Sequence, residues 1–180
     1  MDIRGTVLEI SDPGYTQKFG GDRVTRSHVL HFWHDNPRAT IVGDLATGKG
    51  IPEATFDCMI ITQTYQMIYD IKSAVHSTYT ALKPTGILLA TLPGISQVSR
   101  YDMDRWGDCW RFTDASARRL FGDVFGDRNI TVESHGNVLS AIAFLHGLSA
   151  EELKEEELNY SDANYQVMIT LRAAKVESKK

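Results

Sequence analysis

Five short, nearly continuous apolar runs mark the first half of the chain: 6–10 (TVLEI), 29–33 (VLHFW), 39–42 (ATIV), 57–62 (DCMIIT) and 86–92 (GILLATL). Runs without apolar/polar alternation suit strands covered on both faces, as parallel strands are. Between the last two runs Ile71, Ala74, Val75, Thr78 and Leu82 recur at helical spacing, with Asp70 placed to cap the start and Lys83-Pro84 to close the end. A second helix is predicted from the capping residue Thr113, with Leu120, Phe121, Val124 and Phe125 inward. Strand, helix, strand at this cadence calls for right-handed crossovers and a doubly wound α/β sheet.

Beyond residue 129 the rhythm changes. NITVESHG reads as a strand, and 137–147 as a helix capped by Asn137 and lined by Val138, Leu139, Ile142 and Leu145. The run 165–173 alternates, with Val167, Ile169 and Leu171 on one side and Gln166, Met168 and Thr170 on the other. It is therefore less deeply covered, and an antiparallel pair at one edge of a mostly parallel sheet fits it. EELKEEEL at 151–158 reads as a solvated helix face, and 175–180 as a frayed tail after a single domain at 1–174.

Composition narrows the function classes. A chain of 180 residues, 42% hydrophobic, is sized for one core. Nineteen Lys and Arg against 23 Asp and Glu leave a net charge of −4, so nothing advertises nucleic acid or an anionic membrane as partner. No stretch approaches the roughly 20 apolar residues of a membrane helix, and the start does not read as a secretion signal. A soluble, cytoplasmic protein is expected. Cys58 and Cys109 form no CxxC, which leaves neither a disulfide framework nor a zinc knuckle. His28, His31 and His34 alternate in direction on a strand, so no metal site is expected. GGDR at 20–23 lacks the Lys-Ser/Thr of a triphosphate loop and reads as a turn.

In an open α/β sheet, ligands bind beyond the carboxyl ends of the strands, near the point where strand order reverses. The loops so selected are 11–21, 34–37, 43–50, 63–70 and 93–112. At these loops the motifs VLEISDPG, IVGDL, FDCMIITQTYQMIYD and LKPTGILLATLPG, followed by WRFT at 110–113, stand in order. In order and spacing the sequence resembles class I S-adenosylmethionine-dependent methyltransferases, nearest to the small-molecule methyltransferase type 11 group, over residues 6–126. The resemblance implies a Rossmann-like sheet and S-adenosylmethionine as cofactor. It implies that Glu9 and the turn Ser11, Asp12 and Gly14 approach the methionine part. Asp44 and Leu45 would border the adenine, Gln63 and Thr64 would line the floor, and Asp35 is the candidate for the ribose hydroxyls.

The chain departs from that pattern in three places. Only Gly14 remains of the usual glycine set after the first strand, and Pro13 fixes a backbone angle beside it. The second strand ends Phe32-Trp33-His34-Asp35; Trp33 reads as core, with stacking on a base as the alternative. If Asp35 falls short of the ribose, a charge-assisted hydrogen bond of about 1.5–3 kcal/mol is lost. Thr85 in LKPTG is expected in a type I turn, which avoids positive φ.

The segment 99–111 (SRYDMDRWGDCWR) gathers arginines, carboxylates and two tryptophans, a mixture suited to an acceptor pocket. Asp102 and Asp108 are the candidate bases, Arg111 a catalytic partner, and Arg100, Tyr101 and Trp106 the candidate substrate contacts. The expected activity is methyl transfer to a small molecule, with O-methylation of a hydroxyl on a sugar or glycoconjugate as the chemistry. The alternative is a methyltransferase-like binding or assembly module without turnover. Because the first strand begins at once, without the family's preceding helices, a homo-oligomer, a partner or the 136–160 insertion is expected to close the site, unless it stays open.

Overall fold

Burial explains why the apolar runs become strands. In the computed structural model, which describes residues 2–176, they form one seven-stranded sheet. Its strands are β1 (Gly5–Ile10), β2 (Val24–His31), β3 (Ile41–Val42), β4 (Phe56–Thr62), β5 (Leu82–Pro93), β6 (Ile130–His135) and β7 (Met168–Ala174). Their order is β3-β2-β1-β4-β5-β7-β6. The first five are parallel, and β7 runs antiparallel to both β5 and β6, so the antiparallel pair lies at one edge with β6 outermost. The result is a single-domain, Rossmann-like α/β fold.

One face is covered by α2 (Ile71–Ala81) and α4 (Asp114–Phe125), which pack on Leu8, Met59, Ile61, Leu88 and Leu92. The caps are as the residues predict: Asp70 accepts from Ser73 N–H at 3.2 Å, and Thr113 and Ser116 form a capping box. The opposite face carries a smaller group around Ile3, Val7, Cys58 and Ile60. There the N-terminal stretch is tied down by Arg172, whose guanidinium donates twice to Asp2 at 2.9 and 3.0 Å. Burial pushes the Cys58 thiol up to about 12, so it packs as an apolar side chain.

Four local expectations change. First, β2 starts at Val24 and ends at His31, leaving Phe32 and Trp33 beyond the strand. Second, Thr85 takes φ +64 rather than a type I geometry, because its N–H reaches across to the Lys175 carbonyl at 2.9 Å. Third, Lys175 is anchored rather than frayed: its ammonium donates to the carbonyls of Tyr79 and Leu82, both at 2.7 Å. The rest of the expected tail, 177–180, lies outside the described residues. Fourth, α5 (Val138–His146) forms under an Asn137 capping box, yet Val138, Leu139, Ile142 and Leu145 lie 42–52% exposed. Only the small Ala141 and Ala143 are covered, since nothing in the sheet reaches the larger side chains. No described helix is long and apolar enough to cross a membrane.

Candidate active site

A cavity of about 760 Å³ opens beyond the carboxyl ends of β1, β2 and β4, where strand order reverses between β1 and β4. Its wall brings together Ser11, Asp12, Asp44, Leu45, Gln63, Thr64, Tyr101, Asp102 and Trp106. Phe32, Trp33, Met67, Ile68, Tyr69 and Arg105 join them. The floor is held by a buried pair: the Tyr65 hydroxyl meets Thr78 Oγ1 of α2 at 2.8 Å, which pins the turn after β4. None of residues 136–160 contributes to the wall, so the insertion does not close the site.

Two turns reach into the cavity in a conformation that favours glycine. Ser11 has φ +66 and Gln63 φ +44. Each is held by the sheet: Ser11 N–H donates to Leu30 O, and Gln63 N–H to Thr91 O, both at 3.0 Å. Asp12 N–H goes to Ile10 O, and Gly14 N–H to Asp12 Oδ1, both at 2.8 Å. Glu9 does not approach the cavity. It is buried, and its two oxygens accept the N–H groups of Tyr15 and Thr16 at 2.9 Å each, at the start of α1 (Gly14–Phe19). Gly14 likewise stays outside the wall, spent on opening α1. With Pro13 lacking a donor, every backbone N–H from 11 to 16 is engaged within the turn and its neighbours.

The GDL turn is tight because a side chain at Gly43 would meet Ile51 and the Lys49 carbonyl at 2.8 and 2.9 Å. Asp44 holds that turn, accepting from Ala46 N–H at 2.8 Å and the Thr47 hydroxyl at 2.9 Å. A carboxylate has about four acceptor positions, so it retains capacity toward the cavity.

The opposite wall is aromatic. Trp33 is not core: it stacks on Trp106 with ring centres 5.7 Å apart and planes at 23°, and is 38% exposed. Phe32 meets Trp33 edge-on at 5.2 Å. Trp106 closes α3 (Arg100–Arg105), on which the Arg105 guanidinium lies over the Tyr101 ring at 4.2 Å. Asp102 also projects from α3, and among the described residues no hydrogen bond or ion pair engages its carboxylate. Sequence reading leaves Arg105 unassigned and favours core for Trp33, yet both lie in segments beyond the carboxyl ends of strands, β2 for Trp33 and β5 for Arg105, which is a usable signal.

Four more expected site residues, Asp108, Arg111, Arg100 and Asp35, do not line the cavity. Asp108 is 4% exposed and clasped by Arg111, with Nη1 to Oδ1 at 2.5 Å and Nη2 to Oδ2 at 2.8 Å. It also accepts from Ser99 N–H at 3.0 Å. The guanidinium beside it holds the Asp108 carboxyl below the usual range, and Asp108 in turn raises Arg111. Neither lines the cavity, and the pair instead ties 97–111 together through Arg111 to Gln97 O at 2.6 Å. Arg100 pairs with Asp104 at the surface, both side chains well exposed, rather than facing an acceptor. Asp35 is not among the wall residues; the chain bends where β2 ends, and its carboxylate pairs with Nε2 of the wall residue His31 at 3.2 Å.

Comparison with family models and with curated proteins finds no match. Among solved structures, a provisionally assigned methyltransferase in complex with the Trm112 methyltransferase activator of Haloferax volcanii superposes with TM-score 0.59 at 15% identity, over 94% of this chain and 82% of that one. Haemonchus contortus phosphoethanolamine N-methyltransferase 2, in complex with S-adenosyl-L-methionine, gives 0.62 at 15% identity over 98% of this chain. This chain spans 50% of that protein's length. The 4+2 cyclase SpnF gives 0.62 at 15% identity, over 99% of this chain and 78% of that one. These likenesses place the chain in the Rossmann-like fold that S-adenosylmethionine-dependent methyltransferases share. At such identities the likeness is one of fold, and function has to be argued from the site.

Proposed function

We propose that the chain binds S-adenosylmethionine and transfers its methyl group to a small molecule, as members of the type 11 group do. The single observation that carries this reading is the free Asp102 carboxylate at a switch-point cavity whose other carboxylates, Asp12 and Asp44, are already engaged. The residues fit the nucleoside end of the cofactor. Asp44 and Leu45 offer an acceptor and an apolar edge, Gln63 and Thr64 a polar floor, and Met67 and Ile68 an apolar slot. When bound, the cofactor supplies an electrophilic methyl group.

This chain's own part is positioning and one proton. The acceptor lies against the Trp33–Trp106 pair, Arg105 grips an anionic or hydroxylated substituent, and Asp102 takes the proton of the reacting hydroxyl. A sugar or glycoconjugate hydroxyl suits such an aromatic platform. Holding acceptor and donor in contact is the larger contribution. Calorimetric titration with S-adenosylmethionine and S-adenosylhomocysteine, followed by an assay for S-adenosylhomocysteine formation over sugar and phenol acceptors, tests the reading. Micromolar binding and turnover with a hydroxylated acceptor are expected; no heat at millimolar cofactor overturns it.

A second reading, a non-catalytic binding or assembly module, is favoured by the engaged amides of 11–16 and by Asp35 lying outside the wall. The solved cyclase on this fold illustrates that methyl transfer does not follow from the fold alone. The same titration separates the two readings.

A further inference from the structure

The segment between β6 and β7 has no task in the cavity, yet it is firmly built. Asn137, 4% exposed, caps α5 through Ser140 N–H at 2.9 Å and donates to the carbonyls of Glu157 and Tyr160, both at 2.7 Å. Those bonds fasten α6 (Glu155–Asn159) against the start of α5. Asp162 N–H adds a bond to Gly136 O at 2.8 Å. Four fixed hydrogen bonds at one junction present the α5–α6 pair as a rigid projection.

What it presents is an apolar face with an acidic rim. Leu145, Val138, Ile142 and Leu139 follow one another within about 120° of the helix circumference, and all are exposed. Leu158 and Tyr160 continue the apolar surface, and a groove of about 320 Å³ runs between the helices past Val138, Leu139, Glu156, Glu157 and Tyr160. Leaving this many large apolar side chains in water is costly unless the face is covered. The charge around it is one-sided. Residues 130–165 hold seven carboxylates and one lysine, while the whole chain nets only −4.

We propose that the α5–α6 face docks a basic amphipathic helix of a partner protein. The partner's apolar side seats on Val138, Leu139, Ile142 and Leu145. Its Lys or Arg side chains run their stems along the groove and meet Glu155, Glu156 and Glu157. The same charges argue against the other occupants. An anionic bilayer is repelled by the rim, and a symmetric pairing of two copies sets one acidic α6 near another.

The test uses the full chain and three probes: an 18-residue Leu/Lys amphipathic peptide, its Leu/Glu counterpart, and phosphatidylserine-containing vesicles. Binding is read by fluorescence anisotropy and vesicle sedimentation, and mass in solution by light scattering. Expected are micromolar binding of the Leu/Lys peptide and at least tenfold weaker binding of the Leu/Glu peptide. Ile142→Asp should lose at least tenfold, and so should the double change Glu155→Lys, Glu156→Lys, which spares the Glu157 carboxylate that caps α6 at Lys154 N–H, with unfolding temperatures unchanged because these side chains are at the surface. Equal binding of both peptides, preference for vesicles, a dimer abolished by Ile142→Asp, or no binding at all would overturn the proposal. A failed cofactor titration leaves it standing, since the face shares no residue with the cavity.

Discussion

The two ends of the 99–111 segment are alike in composition and opposite in use. Tyr101, Asp102, Arg105 and Trp106 turn toward the cavity; among the described residues no ion pair engages Asp102 or Arg105, and the Arg105 guanidinium lies over the Tyr101 ring. Asp108 and Arg111 neutralise each other under cover and fasten the segment to Ser99 and Gln97. The difference follows from helix geometry and its end. α3 holds 100–105 on one short rigid element; at Gly107, φ +90, the chain reverses, and residues 108–112 return to the sheet. A carboxylate that loses water must find a cation, whereas one at an open wall keeps its acceptors for something else. One end supports the site that the other end offers.

If that division of labour is right, Asp102→Asn lowers turnover about 10²- to 10⁴-fold while cofactor affinity and unfolding temperature hold, as steady-state kinetics with titration would register. Undiminished turnover would remove Asp102 as the base. Asp108→Asn acts on the other side of the comparison. Leaving Arg111 half-buried without its partner should cost about 3 kcal/mol, or roughly 6–12 °C in thermal unfolding. Because Asp108 titrates below its unfolded value, the stabilisation it brings is present above the ordinary carboxylate range and is lost as pH falls through the folded value. Wild-type stability should therefore drop below about pH 4, and the Asp108→Asn variant should show a shallower decline there.

Smaller effects probe the cofactor side. Asp44→Ala should weaken S-adenosylmethionine binding about tenfold by calorimetry. It also removes two bonds inside the GDL turn, so a modest fall in unfolding temperature accompanies it. Ser11→Gly should relieve about 1–2 kcal/mol of left-handed strain against about 0.5–1 kcal/mol of added chain entropy, a net gain near 0.5 kcal/mol visible as a degree or two. A destabilised Ser11→Gly would mean that the serine side chain, rather than its backbone angle, is what the turn needs.

Much of the scaffold is legible in the amino-acid sequence. Continuous apolar runs name the parallel strands, and Asp70, Thr113 and Asn137 name three helix starts, because caps and periodicity act within a few residues. The placement of ligands beyond strand ends also selects the loops that carry Ser11, Asp44 and Gln63, which share one cavity wall. Legibility fails where a side chain's direction depends on the residues across from it. Trp33 reads as core because a strand's last residues usually are, yet β2 stops at His31 and releases it. Asp108 and Asp102 are equivalent on paper, and only the return of the chain at Gly107 separates them.

The sequence alone determined which segments become strands and helices and which loops gather at one end of the sheet, since burial pattern and local hydrogen bonding decide both. Only the tertiary structure decided which carboxylate is buried against an arginine and which faces open space. It alone showed, too, that the apolar stripe of α5 points outward. Those outcomes rest on contacts between residues distant in the chain, where the same side chain gains as much by pairing as by packing, and geometry breaks the tie.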